Sequence, residues 1–398
     1  LVCSKAVNKG EQLFAVPEAA WITADTAQQS QIGSHLTGLE SWLAIALFLL
    51  HERAMGNASR WAPYIALLPA DSGSPVQWEE ADLAELQGSQ VLGTVQGYRA
   101  YFQQRFDQLQ AEVFGPNSQA FDPIVFNFDA FLWAACTVRA RAHPPLDGGN
   151  IALVPLADMV RSQPSWPPDS AGWQLKQTGG LFGAGSTQAL VMEASGSMAA
   201  GDAIAMDFGP QKSDGQLLVD HGVIDPLVNQ PSYALTLELS KEDRNYDDKA
   251  DILELNELAE STEHILRADR APDAGLLPVL RLLNLSGTDA FLLESIFRNE
   301  VWEHMQLPVS EDNERGCYQQ LIDGCTAALA AYPTSIDEDL ALMASGSLQP
   351  GSRRQSAVRV RLGEKEALDA TLRYFEGRIS RLENMEYYAE RRLKRLGL

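Results

Sequence analysis

Two short apolar runs constrain this chain more than anything else in it. Residues 151–156 read IALVPL and residues 203–206 read AIAM; the first leads straight into ADMVRSQ and the second into DFGPQKSD. Runs of four to six apolar residues that stop at polar turns have the length and bounds of buried strands. Side chains at such strand ends are held by the sheet yet open to a ligand. The stretch 151–225 is therefore where chemistry is expected, and the other segments are read outward from it.

Upstream, residues 2–7 (VCSKAV) and 11–17 (EQLFAVP) read as two strands around the turn Asn8-Lys9-Gly10. From Ser41 the period becomes helical, with Trp42, Ile45, Ala46 and Leu49 on one face. Residues 61–69 form an aromatic, proline-rich turn. Residues 79–90, 95–114 and 128–141 read as helices, the last with Phe131, Leu132, Ala135 and Val138 aligned. A helical block over about 38–145 thus separates the first strands from the next. Pro164, Pro167 and Pro168 mark a loop, residues 180–194 a hairpin turning at 183–185, and residues 212–221 a helix.

Residues 232–239 read as a single strand, followed by helical spacing at 276–285, 289–302, 313–332, 335–344 and 363–396. In the last of these Leu368, Leu372, Phe375, Ile379 and Leu382 recur at steps of four and three. The expected fold is α+β, with a first domain over 1–230 and an all-α second domain over 231–398.

Composition narrows the function classes. With 45% apolar and 21% charged residues the chain is globular. Its formal net charge of −22 repels phosphate backbones and anionic lipid, which excludes unspecific nucleic-acid binding. Local basic patches at Arg353 and Arg354 and at 391–395 could meet an acidic partner, although solvated charge is the plainer reading. The longest apolar run, residues 42–50, is too short to span a bilayer. Cys3, Cys136, Cys317 and Cys325 have no CxxC spacing and the six His no HExxH spacing, so no metal is expected. The acidic run 243–251 lacks the Gly and terminal Glu of an EF-hand and reads as a solvated loop. There is no GxGxxG, Walker loop or nucleophile elbow. The chain starts at Leu1, so a targeting segment falls outside it.

LVPLADM followed by GDAIAMDFGPQKSDGQLLVDHGVID resembles the carboxyl half of a SET domain. Across all 398 residues the chain is similar to the plastid Rubisco large-subunit lysine methyltransferases, through ELQGSQ (85–90), SYALTLELS (232–240), DDKADILELN (247–256), GTDAFLLESIFR (287–298) and MEYYAERRLKRLGL (385–398). The resemblance implies an interrupted, β-rich SET fold with the helical block as its insertion. It also implies a helical substrate-binding domain, a plastid location and S-adenosyl-L-methionine (AdoMet) as cofactor. A lysine-bearing protein would enter from the opposite face through a narrow channel. Catalysis would then rest on aligning a deprotonated amine and on oxygen acceptors around the sulfonium.

Residue by residue, the resemblance places Arg141 at the cofactor-carboxylate arginine and Asp158 at the family aspartate. The Asn-His pair that follows that aspartate is replaced by Arg161 and Ser162. Arg161 is a permanent cation, and two lost hydrogen bonds weaken a cofactor about tenfold or more. The essential channel tyrosine is Phe208, a loss worth on the order of a hundredfold in rate. The second tyrosine is His221 and the channel phenylalanine is His143; either histidine could act as a base or simply pack. These substitutions lead to the expectation of a pseudo-methyltransferase. It would be retained as a protein-binding or scaffold subunit of a larger plastid assembly, by analogy the plastid RNA polymerase complex, with its partner on the helical C-terminal domain. The alternative is an active AdoMet-dependent lysine methyltransferase acting on Rubisco, aldolase or another plastid protein.

Overall fold

The computed structural model describes the chain except residues 147–149, 163–172, 179–186, 207–211, 225–230, 295–299, 396 and 398; of residues 144–146, 150, 161, 162 and 178 it describes the backbone alone. The chain divides into two compact units. One comprises Leu1–Ala84 and Val91–Asn229, the other Glu85–Gln90 and Gln230–Leu398.

In the first unit the elements run β1 (Gln12–Pro17), α1 (Ala24–Gln28), α2 (Ser41–Met55), α3 (Ala62–Ile65), α4 (Glu80–Leu83), α5 (Gln90–Leu109) and α6 (Phe128–Arg141). They continue with β2 (His143–Leu146), β3 (Asn150–Ala152), β4 (Arg161–Ser162), β5 (Gln174–Thr178), β6 (Thr187–Glu193), β7 (Ala205–Met206) and α7 (Asp214–His221). The largest sheet has the order β1-β6-β5, all antiparallel, with Phe14 opposite Met192 and Leu175 opposite Leu190. The expected hairpin therefore has arms 174–178 and 187–193. The expected arm and turn at 180–186 lie outside the described residues. The N-terminal strand shrinks to isolated bridges, Val2 to Ala203 and Val7 to Met198.

The two apolar runs of the opening stretch each enter a separate two-stranded pairing. β2 pairs with β3, and β4 runs parallel to β7 with Arg161 opposite Ala205. The insertion packs on α2, whose residues 43–50 are all buried, so this helix is a core rod rather than an amphipathic surface helix. Aromatic side chains fill the space around it: Trp42 meets Phe102 and Phe131, and Phe121 lies 4.9 Å from Phe126. Among the described residues no single helix is long and apolar enough to cross a membrane.

The second unit runs β8 (Ser232–Glu238), α8 (Tyr246–Leu255), β9 (Ser261–Arg267), α9 (Leu276–Leu283), α10 (Val301–Met305), α11 (Glu311–Ala330), α12 (Ile336–Ala344), α13 (Arg353–Ile379) and α14 (Tyr388–Arg395). It is mostly helical but opens on a hairpin: β8 pairs antiparallel with β9, Ser232 opposite Arg267 through Glu238 opposite Ser261. The acidic run expected as a loop instead enters α8. Asp243 holds the buried ammonium of Lys249 at 2.7 Å, and Asp247 and Asp248 occupy the first turn, where the helix dipole favours them. The helix expected over 363–396 starts ten residues earlier and breaks after Ile379. Leu382 stays buried in a 3₁₀ turn whose carbonyl accepts the Tyr387 hydroxyl at 2.7 Å.

Charged groups inside this unit are matched. Asp339 accepts from Arg361 Nη2 at 2.7 Å and Nε at 2.9 Å and from Lys365 Nζ at 2.7 Å. Arg361 Nη1 reaches the Glu85 carbonyl at 2.8 Å, tying in the segment Glu85–Gln90. In that segment Gly88 has φ +84°, and a Cβ there would meet the Ala331 carbonyl at 2.7 Å, so only glycine fits. The Gln90 amide then donates to the Ala234 carbonyl at 2.6 Å and accepts the Ala234 N–H at 2.9 Å, in the manner of a neighbouring strand. Replacing Asp339 with Ala takes the carboxylate from buried Lys365 and leaves buried Arg361 only Glu85, whose Oε2 lies 3.0 Å from its Nη1. A loss of about 3–5 kcal/mol is expected, read as a lower urea midpoint at unchanged slope.

Candidate functional site

Three separate elements meet at Asp158. It lies in a 3₁₀ turn, Ala157–Met159, and its side chain is shut off from solvent. The residue that delivers it, Leu156, has φ 74° and ψ −45°, a conformation that side chains other than glycine avoid. From α3, the buried Tyr64 donates its hydroxyl to Asp158 Oδ2 at 2.7 Å. From the last residue of α6, Arg141 Nη1 donates to the Asp158 main-chain oxygen at 3.0 Å and lies 3.6 Å from Oδ2. The second carboxylate oxygen, Oδ1, is buried with no hydrogen-bond partner among the described residues. Nε and Nη2 of Arg141 likewise carry no hydrogen bond among those residues. Burial pushes the Asp158 carboxyl up to about 6, outweighing the Tyr64 hydrogen bond and the Arg141 cation that pull it down.

An open anionic acceptor beside an open guanidinium edge is complementary to an amino-acid zwitterion. The ligand ammonium matches Oδ1 and the ligand carboxylate matches the guanidinium fork. The methionyl end of AdoMet is such a group, so the residues present fit that cofactor. Among the described residues no three His, Cys, Asp or Glu side chains gather as a metal site.

His143 opens β2, two residues after Arg141. Its ring is buried and set edge-to-face against Trp173 at 4.9 Å, and burial pushes its pKa down to about 4. It is therefore neutral at pH 7. His143 Nε2 and Trp173 Nε1 are both buried without hydrogen-bond partners among the described residues.

His221 stands at the other end of α7. That helix starts in a reciprocal cap between Ser213 and Gln216 and stops at Gly222, φ +68°, where a Cβ would lie 2.0 Å from the Ser72 carbonyl. Ser74 Oγ, on the same loop, donates to the Val219 carbonyl at 2.7 Å. So fixed, His221 Nδ1 donates to the Ala140 carbonyl at 3.2 Å, and its Nε2 lone pair accepts from Lys212 Nζ at 3.0 Å. Burial and the Lys212 ammonium lower its pKa. As a base His221 would first have to lose Lys212, which is also held by Asp220 at 2.9 Å.

The structure thus brings Arg141 and Asp158 into contact, sets His143 at the next strand, and docks His221 on the end of α6. Arg161 and Ser162 are placed by their backbones in β4; their side chains, and all of Phe208, lie outside the described residues. Sequence reasoning missed Tyr64. It lies in a stretch expected to be a turn, 94 residues before its partner, and nothing local marks it.

A family profile described as "Rubisco LSMT substrate-binding" matches residues 240–368. The chain is 38% identical, over its whole length and 80% of the relative's, to a Nicotiana tabacum protein named ribulose-1,5-bisphosphate carboxylase/oxygenase large subunit N-methyltransferase, chloroplastic. It is 36% identical, over its whole length and 81% of the relative's, to the Arabidopsis thaliana [fructose-bisphosphate aldolase]-lysine N-methyltransferase, chloroplastic. Its fold superimposes with TM-score 0.89 and 36% identity on the crystal structure of the SET domain of LSMT bound to lysine and AdoHcy, covering all of this chain and 89% of the other. These relatives overturn the expectation of a pseudo-methyltransferase kept as a scaffold subunit of a plastid polymerase assembly. Proteins similar from end to end are named as methyltransferases, and none of these findings points to a scaffold role. That expectation rested on four chemically important positions changed together; the retained Arg141 and Asp158, which favour the alternative, agree with these relatives.

Asp158 is held at a cost that its amide analogue escapes. Its raised pKa makes ionisation unfavourable above pH 6 and costless below pH 4, where folded and unfolded chains are both protonated. Asp158→Asn is expected to raise stability at pH 7 by up to about 3 kcal/mol, a gain that vanishes below pH 4 in urea titrations. His143 acts in the opposite sense. As pH falls from 6.5 towards 4 the unfolded chain takes up a proton that the folded ring refuses, and stability is lost. His143→Phe should remove about 3 kcal/mol of that acid lability, seen as a flatter profile of melting temperature against pH.

Proposed function

The chain belongs to the Rubisco large-subunit lysine methyltransferase family of SET-domain proteins, and on that footing we propose that it is an AdoMet-dependent protein-lysine N-methyltransferase of the chloroplast. The observation that carries this reading is the buried pairing of Arg141 and Asp158, each with hydrogen-bonding capacity left open. Its substrate is a lysine on a chloroplast protein. The Rubisco large subunit and fructose-bisphosphate aldolase, the targets named for two relatives, are the first candidates.

AdoMet, when bound, would supply an electrophilic methyl group: a new N–CH3 bond to the deprotonated lysine amine would replace the CH3–S bond, and the cofactor would leave as the neutral thioether. The protein's own part is binding and alignment. Arg141 takes the cofactor's carboxylate through its free guanidinium edge, and Asp158 Oδ1 takes its ammonium. His143, kept neutral by burial, adds no positive charge to a channel that must admit a lysine. With His221 occupied by Lys212 and Ala140, proton removal falls to solvent before the amine enters. Phe208 stands where the family has a tyrosine, so the hydroxyl acceptor is lacking and turnover is slow.

The test is transfer of a labelled methyl group from AdoMet to unmethylated Rubisco large subunit and aldolase, alongside the melting temperature at saturating AdoMet. The intact protein is expected to be stabilised by AdoMet and to methylate one of the two. Arg141→Ala should abolish the stabilisation, and Phe208→Tyr should raise kcat on the order of a hundredfold. Absence of both stabilisation and incorporation with the intact protein would refute the proposal.

A further inference from the structure

A groove of about 530 Å³ runs along the second unit, lined by Tyr374, Gly377, Arg378, Arg381, Asn384 and Met385. It lies beyond residue 368, where the family profile stops. Its charge is unusual for this chain. The formal net charge is −22, and inside the same unit arginines are matched to carboxylates, Arg281 to Glu314 and Arg361 to Asp339. The two groove arginines are not. Arg378 is braced by the Tyr374 hydroxyl and sits 5.1 Å from the centre of that ring, with Tyr318 as its other neighbour. Arg381 is exposed, and among the described residues its guanidinium makes no hydrogen bond or ion pair.

A second observation concerns the floor. Gly377 lies within α13 without positive φ, and a Cβ built on it meets nothing within 4 Å. Neither the backbone nor the packing demands glycine there, and glycine weakens a helix relative to alanine. Its bareness leaves that part of the groove lining open.

We propose that this groove docks an acidic side chain of the protein substrate, a Glu or Asp carboxylate next to an apolar residue. The proposal rests on the reading above that the substrate is a protein. Two guanidinium forks suit a planar carboxylate. The Tyr374 ring and the Met385 thioether provide an apolar wall for the neighbouring side chain, and the Asn384 amide is placed to meet peptide backbone. The net charge of −22 repels such a segment from most of the chain, so the groove sets register as well as affinity.

The full chain is titrated into a fluorescein-labelled hexapeptide of alternating Leu and Glu, with an uncharged Leu-Gln peptide as control, because a cationic peptide would be drawn to a chain of net charge −22 in any case, and anisotropy is followed. The acidic peptide is expected to bind, more weakly as salt rises. Its affinity should fall roughly tenfold in Arg381→Ala and in Gly377→Phe, which fills the groove from an open position. Equal binding of the Leu-Gln peptide, or unchanged affinity in both variants, overturns the proposal. So does displacement by inorganic phosphate at concentrations no higher than the peptide's, which would mark an inorganic anion site. In the methyl-transfer assay Arg381→Ala is expected to raise KM for the protein substrate about tenfold at unchanged kcat and unchanged AdoMet stabilisation. Because the peptide titration needs no turnover, failure of the methyltransferase reading leaves it interpretable, and the two failures are told apart.

Discussion

A carboxylate removed from water organises the first unit. Asp158 is met by one tyrosine hydroxyl and approached by one guanidinium, and half of its acceptor capacity is left open. An ionised group in that position is unfavourable unless something completes its shell. Much of the surrounding structure is explained by the need to hold it. Leu156 adopts a disfavoured turn to aim it, α3 exists as a single helical turn that carries Tyr64, and α6 ends at Arg141 so that its guanidinium meets the turn. Strain and open polarity gathered at one point are what a binding site requires and what stability alone would remove.

The second unit treats charge differently. Its buried cations are fully matched: Lys249 by Asp243, Arg281 by Glu314, and Arg361 with Lys365 by Asp339. Such pairs add little net stability over apolar residues, but they fix geometry, since removing one partner strands the other. Against that matched interior, the groove arginines at 378 and 381 stand out as charge left available.

Much of this was legible in the residues. The helix at 128–141 was located to the residue because its apolar face repeats at helical spacing, and the structure adds the Asn127 cap at its start. Arg141 and Asp158 followed from resemblance. The failures have physical causes. β9 went unread because STEHILR alternates for one buried face only and matches β8 solely once the two are paired. The hairpin partner at 174–178 was missed because QLKQT is mostly polar and becomes a strand only by pairing with β6. The break after Ile379 carries no proline or glycine at the stop itself, and Leu382 keeps the apolar period through it. His221 looked free to act as a base because a sequence does not show that Lys212 occupies its lone pair.

The sequence by itself determined the class of fold, the family and the two residues that can grip a zwitterion, because strand length, helical period and motif order are local and survive in one dimension. Tertiary structure alone decided which groups are open and which are already used. Tyr64 reaches Asp158 across 94 residues, Lys212 claims His221, and Gly377 leaves open part of a groove lined by two arginines. Availability of a polar atom depends on every neighbour in space, and most of those neighbours are distant along the chain.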